Sequence, residues 1–152
     1  MTHLSKLNLP NFSFRIENES IFDPIRKKWV ALTPEEWVRQ NFLAYLVQDK
    51  KYPKSLIKVE QTIKAFEKTR RCDAVIHTSE ITPLAILECK KPNIKITEKT
   101  FKQIALYNSA LNAPYLIITN GMDHYCCKIE FDPTKIIFLD HIPDYEEMKL
   151  ET

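Results

Sequence analysis

The sequence predicts an α/β (α+β) fold, in which a mixed central β-sheet is flanked by helices. Short apolar runs rich in β-branched residues alternate with segments of helical periodicity. The expected order is helix, three strands, helix, two strands, and strands before and after a crossover helix favour a mixed sheet. The 152 residues, of which 44% are hydrophobic, suffice for one domain over 1–152.

The first helix is predicted to begin after Thr33 and to end near Gln48. Thr33 is a favourable N-cap residue, Pro34 fits the first helical position, and Glu36 completes a capping box. Apolar residues then recur at helical spacing, namely Val38, Phe42, Tyr45 and Leu46. Upstream, alternating apolar residues over 12–16 predict an edge strand, and residues 21–32 predict a short hairpin.

Three strands are predicted between the two helices. Residues 57–63 alternate as one strand, and a charged turn over 68–71 leads into a second strand over 72–77. A loop over 79–83 precedes the third strand, over 84–90. That third segment is almost continuously apolar, which predicts a buried central strand.

A second helix and a hairpin follow. Thr97 is predicted to cap the helix, with Thr100 as the alternative, and the helix is expected to end near Leu111. Asn120 and Gly121 predict a type I′ turn, because both of its central residues take a positive φ. The other predicted elements are strands over 115–119, 122–131 and 135–139, and either a short helix or a frayed tail over 144–150.

Composition excludes several classes of function. Gly121 is the only glycine, so the chain has no glycine-rich phosphate loop, and we expect it to bind no nucleotide. No apolar run approaches the ~20 residues that span a membrane, and no signal-peptide core is present. The prediction is a soluble, cytoplasmic protein without a membrane partner.

The cysteines do not predict a zinc site. Cys72, Cys89, Cys126 and Cys127 form no C-x-x-C pair, and no histidine stands at a metal-ligand spacing from them. Two lie in predicted core strands and two are adjacent in sequence. We therefore predict buried thiols without disulfides, as in a reducing compartment.

Charge is unevenly distributed along the chain, although the formal net charge is only +2. Basic residues dominate 50–71 and 90–102, whereas the tail over 140–152 is acidic. Basic stretches on both sides of an acidic pair suit a polyanion such as DNA. Lysine clusters of this kind are also common on solvated surfaces, so the pattern alone adds little.

The candidate site lies on two neighbouring predicted strands. Asp73 begins one strand, and Glu88 and Lys90 end the next, fifteen positions further along the chain. Positions i and i+2 of a strand share a face, so Glu88 and Lys90 should point the same way. Two carboxylates around a hard cation, with a lysine beside it, are suited to metal-assisted cleavage of a phosphodiester. The alternative is a structural ion network.

One more pair of residues completes a family pattern. Gln103 and Tyr107 are four apart on the second predicted helix and share a face. With Asp73 and the Glu88-Cys89-Lys90 triplet, they resemble the PD-(D/E)xK nuclease superfamily in its Q-x-x-x-Y branch. Four segments are more specific and resemble the N-terminal domain of type I restriction enzyme R subunits: 33–40, 71–73, 87–92 and 118–121.

The resemblance implies a restriction-endonuclease-like core over about 21–131, in the order α-β-β-β-α-β, with an added C-terminal β-hairpin. It implies that Asp73 and Glu88 bind Mg²⁺, or Mn²⁺ in its place, and that Lys90 acts in catalysis. Glu36 is our choice for a further metal ligand, and Glu35 is the alternative. The residues implied to orient the site or contact the DNA backbone are Gln103, Tyr107, Lys91 and Arg71.

The implied function is Mg²⁺-dependent DNA endonuclease activity. R subunits also carry a motor, but this chain has no helicase motifs, so motor or specificity subunits would be separate partners. A non-catalytic module that binds DNA or assists assembly is the alternative. The sequence does not indicate DNA specificity or oligomeric state.

Overall fold

The computed structural model describes residues 4–60, 62–65, 68–108 and 111–150, with the side chains of 62–65, 68–70, 107 and 108 left out of the description. Three α-helices, one turn of 3-10 helix at Lys54–Leu56 and eleven strands lie in these ranges. In chain order the α-helices and strands are β1 Ile16–Glu17, β2 Ser20–Asp23, β3 Lys28–Ala31, α1 Pro34–Gln48, β4 Ile57–Val59, β5 Thr62–Ala65, β6 Lys68–Arg71, β7 Ala74–His77, β8 Pro83–Cys89, α2 Glu98–Asn108, β9 Tyr115–Thr119, β10 His124–Glu130, β11 Lys135–Phe138 and α3 Tyr145–Leu150.

A six-stranded mixed sheet organises the chain, in the order β11-β10-β9-β8-β7-β4. Strands β8 and β9 pair in parallel, from Ala85 opposite Tyr115 to Cys89 opposite Thr119, and the other pairs are antiparallel. Helix α2 makes the crossover that a parallel pair requires. The order α1-β4-β7-β8-α2-β9, followed by β10 and β11, confirms the predicted fold class and core order.

The core fills both faces of this sheet. Helix α1 contributes Val38, Phe42, Leu43 and Leu46 to one face, which also buries residues of α3. Helix α2 contributes Phe101 and Ile104 to the other face. Residues of β8 alternate accordingly, because Leu87 belongs to the α1 face and Ile86 to the α2 face. At its end, β11 leaves Ile137 and Phe138 exposed.

Helix α1 has the predicted bounds. The Thr33 hydroxyl accepts a hydrogen bond of 3.0 Å from Glu36 N, and Pro34 occupies the first turn. The predicted capping box, however, forms only in its Thr33 half. The Glu36 carboxylate does not return to the cap, because it is held instead by Arg26 and Gln40.

The predicted strand over 57–63 is confirmed over 57–59 but is wrong as one continuous strand. Strand β4 ends at Val59, because Glu60 adopts a left-handed φ of 57° that breaks the extended backbone. Residues 68–71, predicted as a turn, are strand β6, which pairs with β5 as a two-stranded ribbon. Gln61, a predicted strand residue, lies outside the described residues.

The hairpin between β9 and β10 is confirmed, but its turn type is not. Residues 120–123 form the loop, and the Asn120 side-chain oxygen accepts hydrogen bonds from Met122 N and Asp123 N. Gly121 has a φ of 86°, whereas Asn120 does not enter the left-handed region that a type I′ turn requires. The asparagine side chain closes the loop in its place.

The remaining predictions are largely confirmed. Hairpin β2–β3, strand β9 and helix α3 form as expected, and Thr97 caps α2 through a hydrogen bond from Thr100 N. Of the edge strand predicted over 12–16, only Ile16 lies in a strand, as the first residue of β1. Helix α2 is described as far as Asn108, and residues 109 and 110 lie outside the described ranges.

The cysteine prediction is confirmed as well. All four cysteines are buried and none forms a disulfide. Within the described ranges, no helix has the length and apolar character needed to cross a membrane.

Candidate active site

Asp73 lies at the end of the central sheet, just before β7. Its backbone oxygen accepts from Glu60 N at 2.8 Å, and its Oδ2 accepts from Cys89 N at 2.8 Å. The pairing of Ala74 with Leu87 places Asp73 beside Glu88 one step further along the two strands. The Asp73 carboxylate therefore lies against the peptide bond that joins Glu88 to Cys89.

Glu88 is more deeply buried than any other glutamate that the structure describes. Its exposure is 3%, and that of Asp73 is 8%. It follows four apolar residues of β8 that are themselves in the core. Burying a carboxylate is costly unless hydrogen bonds or a cation compensate, which makes this end of the sheet chemically unusual. Burial, together with the charges of Asp73 and Glu88, raises the pKa of the Cys89 thiol well above its usual value.

Lys90 is the first residue after strand β8. Its backbone nitrogen donates to Thr119 O at 2.8 Å, which fixes the residue beside the end of β9. Its side chain is partly exposed, and it forms no ion pair with any side chain that the structure describes. A partly exposed ammonium group is accessible to a phosphate or a water molecule.

Arg39 joins helix α1 to Asp73. Its Nη2 lies 2.9 Å from Asp73 Oδ1, and its Nη1 lies 3.1 Å from Glu60 Oε1 and 3.5 Å from Glu36 Oε1. Both oxygens of Asp73 are thus already in use, one with Arg39 and one with Cys89 N. Burial alone would lower the pKa of Arg39, but the carboxylates of Glu36 and Asp73 raise it overall.

The Glu36 carboxylate pairs with a second guanidinium group, that of Arg26. Both of its oxygens lie 3.1 Å from Arg26 Nη2, and Gln40 donates a hydrogen bond of 3.0 Å to Oε2. Arg26 also pairs with Glu60, at 3.2 Å, and with the fully buried Asp23. Burial alone would raise the pKa of Asp23, but hydrogen bonds from Arg26 and Ile25 lower it overall.

Glu35 faces the Asp73 end of the sheet. Burial raises the pKa of Glu35, and the charge of Asp73 raises it further. Arg39, Lys90 and Lys91 act in the opposite direction, so their positive charges also lie close to Glu35. Glu35 and Lys91 line one open depression on the surface, together with Glu36, Arg39 and Glu60.

The remaining candidate residues lie at the edges of this arrangement or away from it. Arg71 approaches Glu60 at 3.7 Å with a side chain that is 67% exposed. Gln103 is exposed on α2 in a shallow surface depression with Lys99 and Lys102. Tyr107 lies in α2, but its side chain is outside the description, so the contacts of the Gln103 and Tyr107 pair stay a prediction.

Three residues of this arrangement were missed in the sequence. Arg39, Arg26 and Glu60 were given no role, although they bind the predicted site residues Asp73 and Glu36. Arg39 had a usable signal, because it stands three positions after Glu36 on the same helix face. Arg26 and Glu60 lie on loops far apart in sequence, and no periodic pattern marks them.

Comparison with known proteins identifies the family. Residues 34–143, more than half of the chain, match the family described as "Type I restriction enzyme R protein N terminus (HSDR_N)". The chain belongs to this family. The match begins at the first residue of α1 and includes every element that surrounds Asp73, Glu88 and Lys90.

A solved structure gives the same fold for this R-protein N-terminal domain. It is a fragment assigned as an HsdR subunit of a type I restriction enzyme from Vibrio vulnificus YJ016, with a TM-score of 0.50 and 18% sequence identity. The similarity covers 74% of this chain but only 24% of that chain. No curated protein sequence matches this chain significantly. The comparisons therefore establish a nuclease-like domain related to restriction enzymes.

The carboxylates of Asp73 and Glu88 in this R-protein domain are oxygen ligands of the kind that Mg²⁺ prefers. Among the described residues, no three His, Cys, Asp or Glu side chains form a ready-made metal cluster. Mg²⁺, however, commonly uses one or two protein carboxylates and completes its coordination with water and substrate phosphate. Each Asp73 oxygen has one acceptor position left after its contact with Arg39 or Cys89 N. Asp73 and Glu88 are suited to such a site.

Proposed function

We propose that this chain is a Mg²⁺-dependent DNA endonuclease domain, with its site at the end of β7 and β8. The observation that carries the proposal is the contact of the Asp73 carboxylate with the Glu88–Cys89 peptide, 2.8 Å from Cys89 N. It brings the two acidic residues together in a chain whose family is that of restriction enzyme R proteins.

Each residue has a distinct part in the proposed reaction. Asp73 and Glu88 would hold the Mg²⁺, or Mn²⁺, which when bound activates a water molecule and offsets phosphate charge. Lys90 has a partly exposed side chain and, by strand alternation, shares the face of Glu88, so its proposed part is to orient the attacking water and stabilise negative charge on the phosphate. Lys91 and Arg71 are exposed cations near the site and suit contacts with the DNA backbone.

Gln103 and Tyr107 remain proposed as residues that orient the site or the DNA. Glu88 shares the strand face of Ile86, which belongs to the α2 side of the core. Helix α2 is therefore the element from which these two residues could act on Glu88.

The contacts of Glu36 favour Glu35 as the further acidic ligand. Glu36 is tied to Arg26, Gln40 and Arg39, so releasing it would break several charge-assisted hydrogen bonds. Glu35 is close enough to Asp73 for the Asp73 charge to raise its pKa, and it forms no ion pair in the described part of the chain. We propose Glu35, the alternative from the sequence, in this role.

Cleavage of plasmid DNA in the presence of Mg²⁺ or Mn²⁺ tests the proposal. Glu88→Gln and Lys90→Ala should each lower the cleavage rate by about 100-fold or more, because each removes a group that acts on the reacting phosphate. Glu35→Gln should lower the rate more than Glu36→Gln when the two are compared at equal folded fraction. Glu98→Gln is a suitable control, since this residue is exposed on α2 and, in the described part of the chain, its one ion pair is with the exposed Lys102.

Cleavage that continues unchanged in both Glu88→Gln and Lys90→Ala would exclude this site. Circular dichroism on each variant separates loss of chemistry from loss of fold. An unchanged rate in well-folded variants then leaves no role for the site in the reaction.

A non-catalytic DNA-binding or assembly module is the second candidate. The observation that favours it is that each Asp73 oxygen already has a partner, Arg39 or Cys89 N, which gives the carboxylate structural contacts without any metal. Under this alternative, DNA binding would weaken steeply with salt, and Asp73→Ala would leave that binding intact without any cleavage. Separate motor or specificity subunits would then supply the activity.

A further inference from the structure

The carboxylates around Arg39 outnumber the cations that they contact. Among the described residues, four carboxylates, those of Asp23, Glu36, Glu60 and Asp73, share two guanidinium groups, that of the buried Arg39 and that of the largely buried Arg26. Two negative charges are therefore in excess within this cluster. Arg71 contacts Glu60 only from the surface, where solvent screens its charge. Glu88 adds a further buried carboxylate beside Asp73.

Arg39 is held in a way that allows it to give up one partner. Its Nη1 contacts Glu60 and Glu36, so its charge stays paired even without Asp73. Its Nε is buried and has no hydrogen-bond partner in the described part of the chain. A buried donor without a partner costs about 1–3 kcal/mol, so the present position of Arg39 is not its most favourable arrangement in isolation. The contact with Asp73 compensates for this cost and holds the Arg39 side chain in its present position.

From this geometry we propose that Arg39 is a positioning residue that acts as the internal counter-ion of Asp73 until a divalent cation replaces it. In the metal-free chain, Arg39 keeps the buried Asp73 charge paired and aimed at the end of β8. When a divalent cation binds Asp73, Arg39 releases Oδ1 and keeps its contacts with Glu60 and Glu36. The inference rests on the proposed function, because it concerns the metal site assigned above.

Binding of Mn²⁺ to the full chain without DNA tests this exchange. Arg39→Gln removes the competing charge, so the dissociation constant for Mn²⁺ should fall by on the order of tenfold, as expected for one nearby charge in a partly buried site. The melting temperature should be lower than that of the wild type without metal. Addition of Mn²⁺ should then raise it by more in the variant than in the wild type.

Arg71→Gln is the matched control. It removes the same charge from the same network, but Arg71 contacts Glu60 from an exposed position and does not touch Asp73. Its dissociation constant for Mn²⁺ should change by less than about twofold, because an exposed pair is largely screened. Tighter binding in Arg39→Gln together with an unchanged Arg71→Gln supports the exchange.

Two different failures are distinguishable. If the wild type and Asp73→Asn bind Mn²⁺ equally weakly, the metal site and the proposed function fail. If the wild type binds Mn²⁺ through Asp73 but Arg39→Gln binds it no more tightly, only the counter-ion exchange is overturned. A loss of melting temperature that is the same with and without metal would assign Arg39 a purely structural role.

A measurement on the wild type covers the case in which Arg39→Gln does not fold. In a chain with ¹⁵N-labelled arginine, titration with Mg²⁺ should shift the side-chain signals of buried Arg39 far more than those of exposed Arg71. Arg71→Gln assigns the Arg71 signals by their absence. Arginine signals that do not respond to Mg²⁺, in a chain that binds it, would overturn the proposal.

Discussion

Gly121 connects the hairpin loop to the packing of the N-terminal segment. Its φ of 86° is unfavourable for any residue with a side chain, and a Cβ at this position would lie 2.7 Å from Leu7 Cδ2 and 3.2 Å from Val38 Cγ2. Gly121→Ala should therefore lower the free energy of unfolding by about 1–3 kcal/mol. Urea unfolding followed by circular dichroism measures this change.

A double-mutant cycle separates the two causes. Leu7→Ala removes the methyl groups that the new Cβ would meet but leaves the backbone strain in place. The two substitutions together should cost at least about 0.5 kcal/mol less than the sum of their separate effects. Simple additivity would show that backbone strain alone is responsible.

The positions of the candidate residues were predictable where they lie in a strand or directly next to one. Asp73, Glu88 and Lys90 follow from strand alternation and from a charged residue that ends an apolar run. The partners of Asp73 and Glu36 were not predictable in the same way. Arg26 and Glu60 reach the site from loops, and Glu60 itself adopts a left-handed conformation that no sequence pattern required.

At the scale of elements, the C-terminal helix α3 depends on a histidine with two acidic partners. His141 Nδ1 lies 2.7 Å from Asp140 Oδ1, and its Nε2 lies 3.0 Å from Glu147 Oε2. Hydrogen bonds to Asp140, and then to Glu147, raise the pKa of His141 above its usual value of 6.5. The contact between the loop before α3 and the helix is therefore stronger when the imidazole is protonated.

This pairing predicts a pH dependence of stability. A raised folded-state pKa stabilises the chain fully below about pH 6.5, and the contribution is lost as the pH rises through the folded value. Because the groups are exposed, Glu147→Gln should cost about 0.2–1 kcal/mol near pH 5.5 and almost nothing near pH 8. Urea unfolding at the two pH values measures the difference.

Glu146→Gln provides the comparison for this prediction. Glu146 lies on the same helix, but it pairs with Lys149, at 3.3 Å, rather than with a histidine. Its effect on stability should be the same at both pH values. An effect of Glu147→Gln that is equally independent of pH would exclude the proposed pairing with a charged imidazole.

Elements with strong local signals were predicted well, and those formed by pairing alone were not. Helix α1 has a cap residue, a proline in its first turn and apolar residues at helical spacing, and its bounds were correct. Ribbon β5–β6 contains the charged run Lys68–Arg71, which has no alternation of apolar residues. Only the pairing of its backbone with β5 makes that run a strand, and such pairing is not visible in local sequence.

At the scale of the whole molecule, buried cysteines lie on both faces of the main sheet, so their reactivity can report on the unfolding of either face. Cys89 and Cys126 lie on the α1 face of the sheet, and Cys72 and Cys127 lie on the α2 face. Burial raises the pKa of Cys127 to about 12, and burial together with the neighbouring Cys127 raises that of Cys126 to about 12. Both accessibility and ionisation therefore protect these thiols in the folded state.

Thiol labelling should consequently report global unfolding. With Ellman's reagent at neutral pH, the native chain should show essentially no rapid reaction, and all four thiols should react in urea. A single fast thiol in the native chain would show that one face of the sheet opens separately from the other. Cysteines on the two faces that become reactive at the same urea concentration would indicate cooperative unfolding.

The last strand of the main sheet has a practical consequence. Strand β11 is an edge strand of the six-stranded sheet, so one side of its backbone has no neighbouring strand within that sheet. Its residues Lys135–Phe138 are mostly apolar, with Phe138 55% exposed. Such an edge can template addition of a strand from another copy, which leads to aggregation at high concentration. Purified material should keep its solubility best when the tip of β11 carries a charge, as in Ile137→Lys.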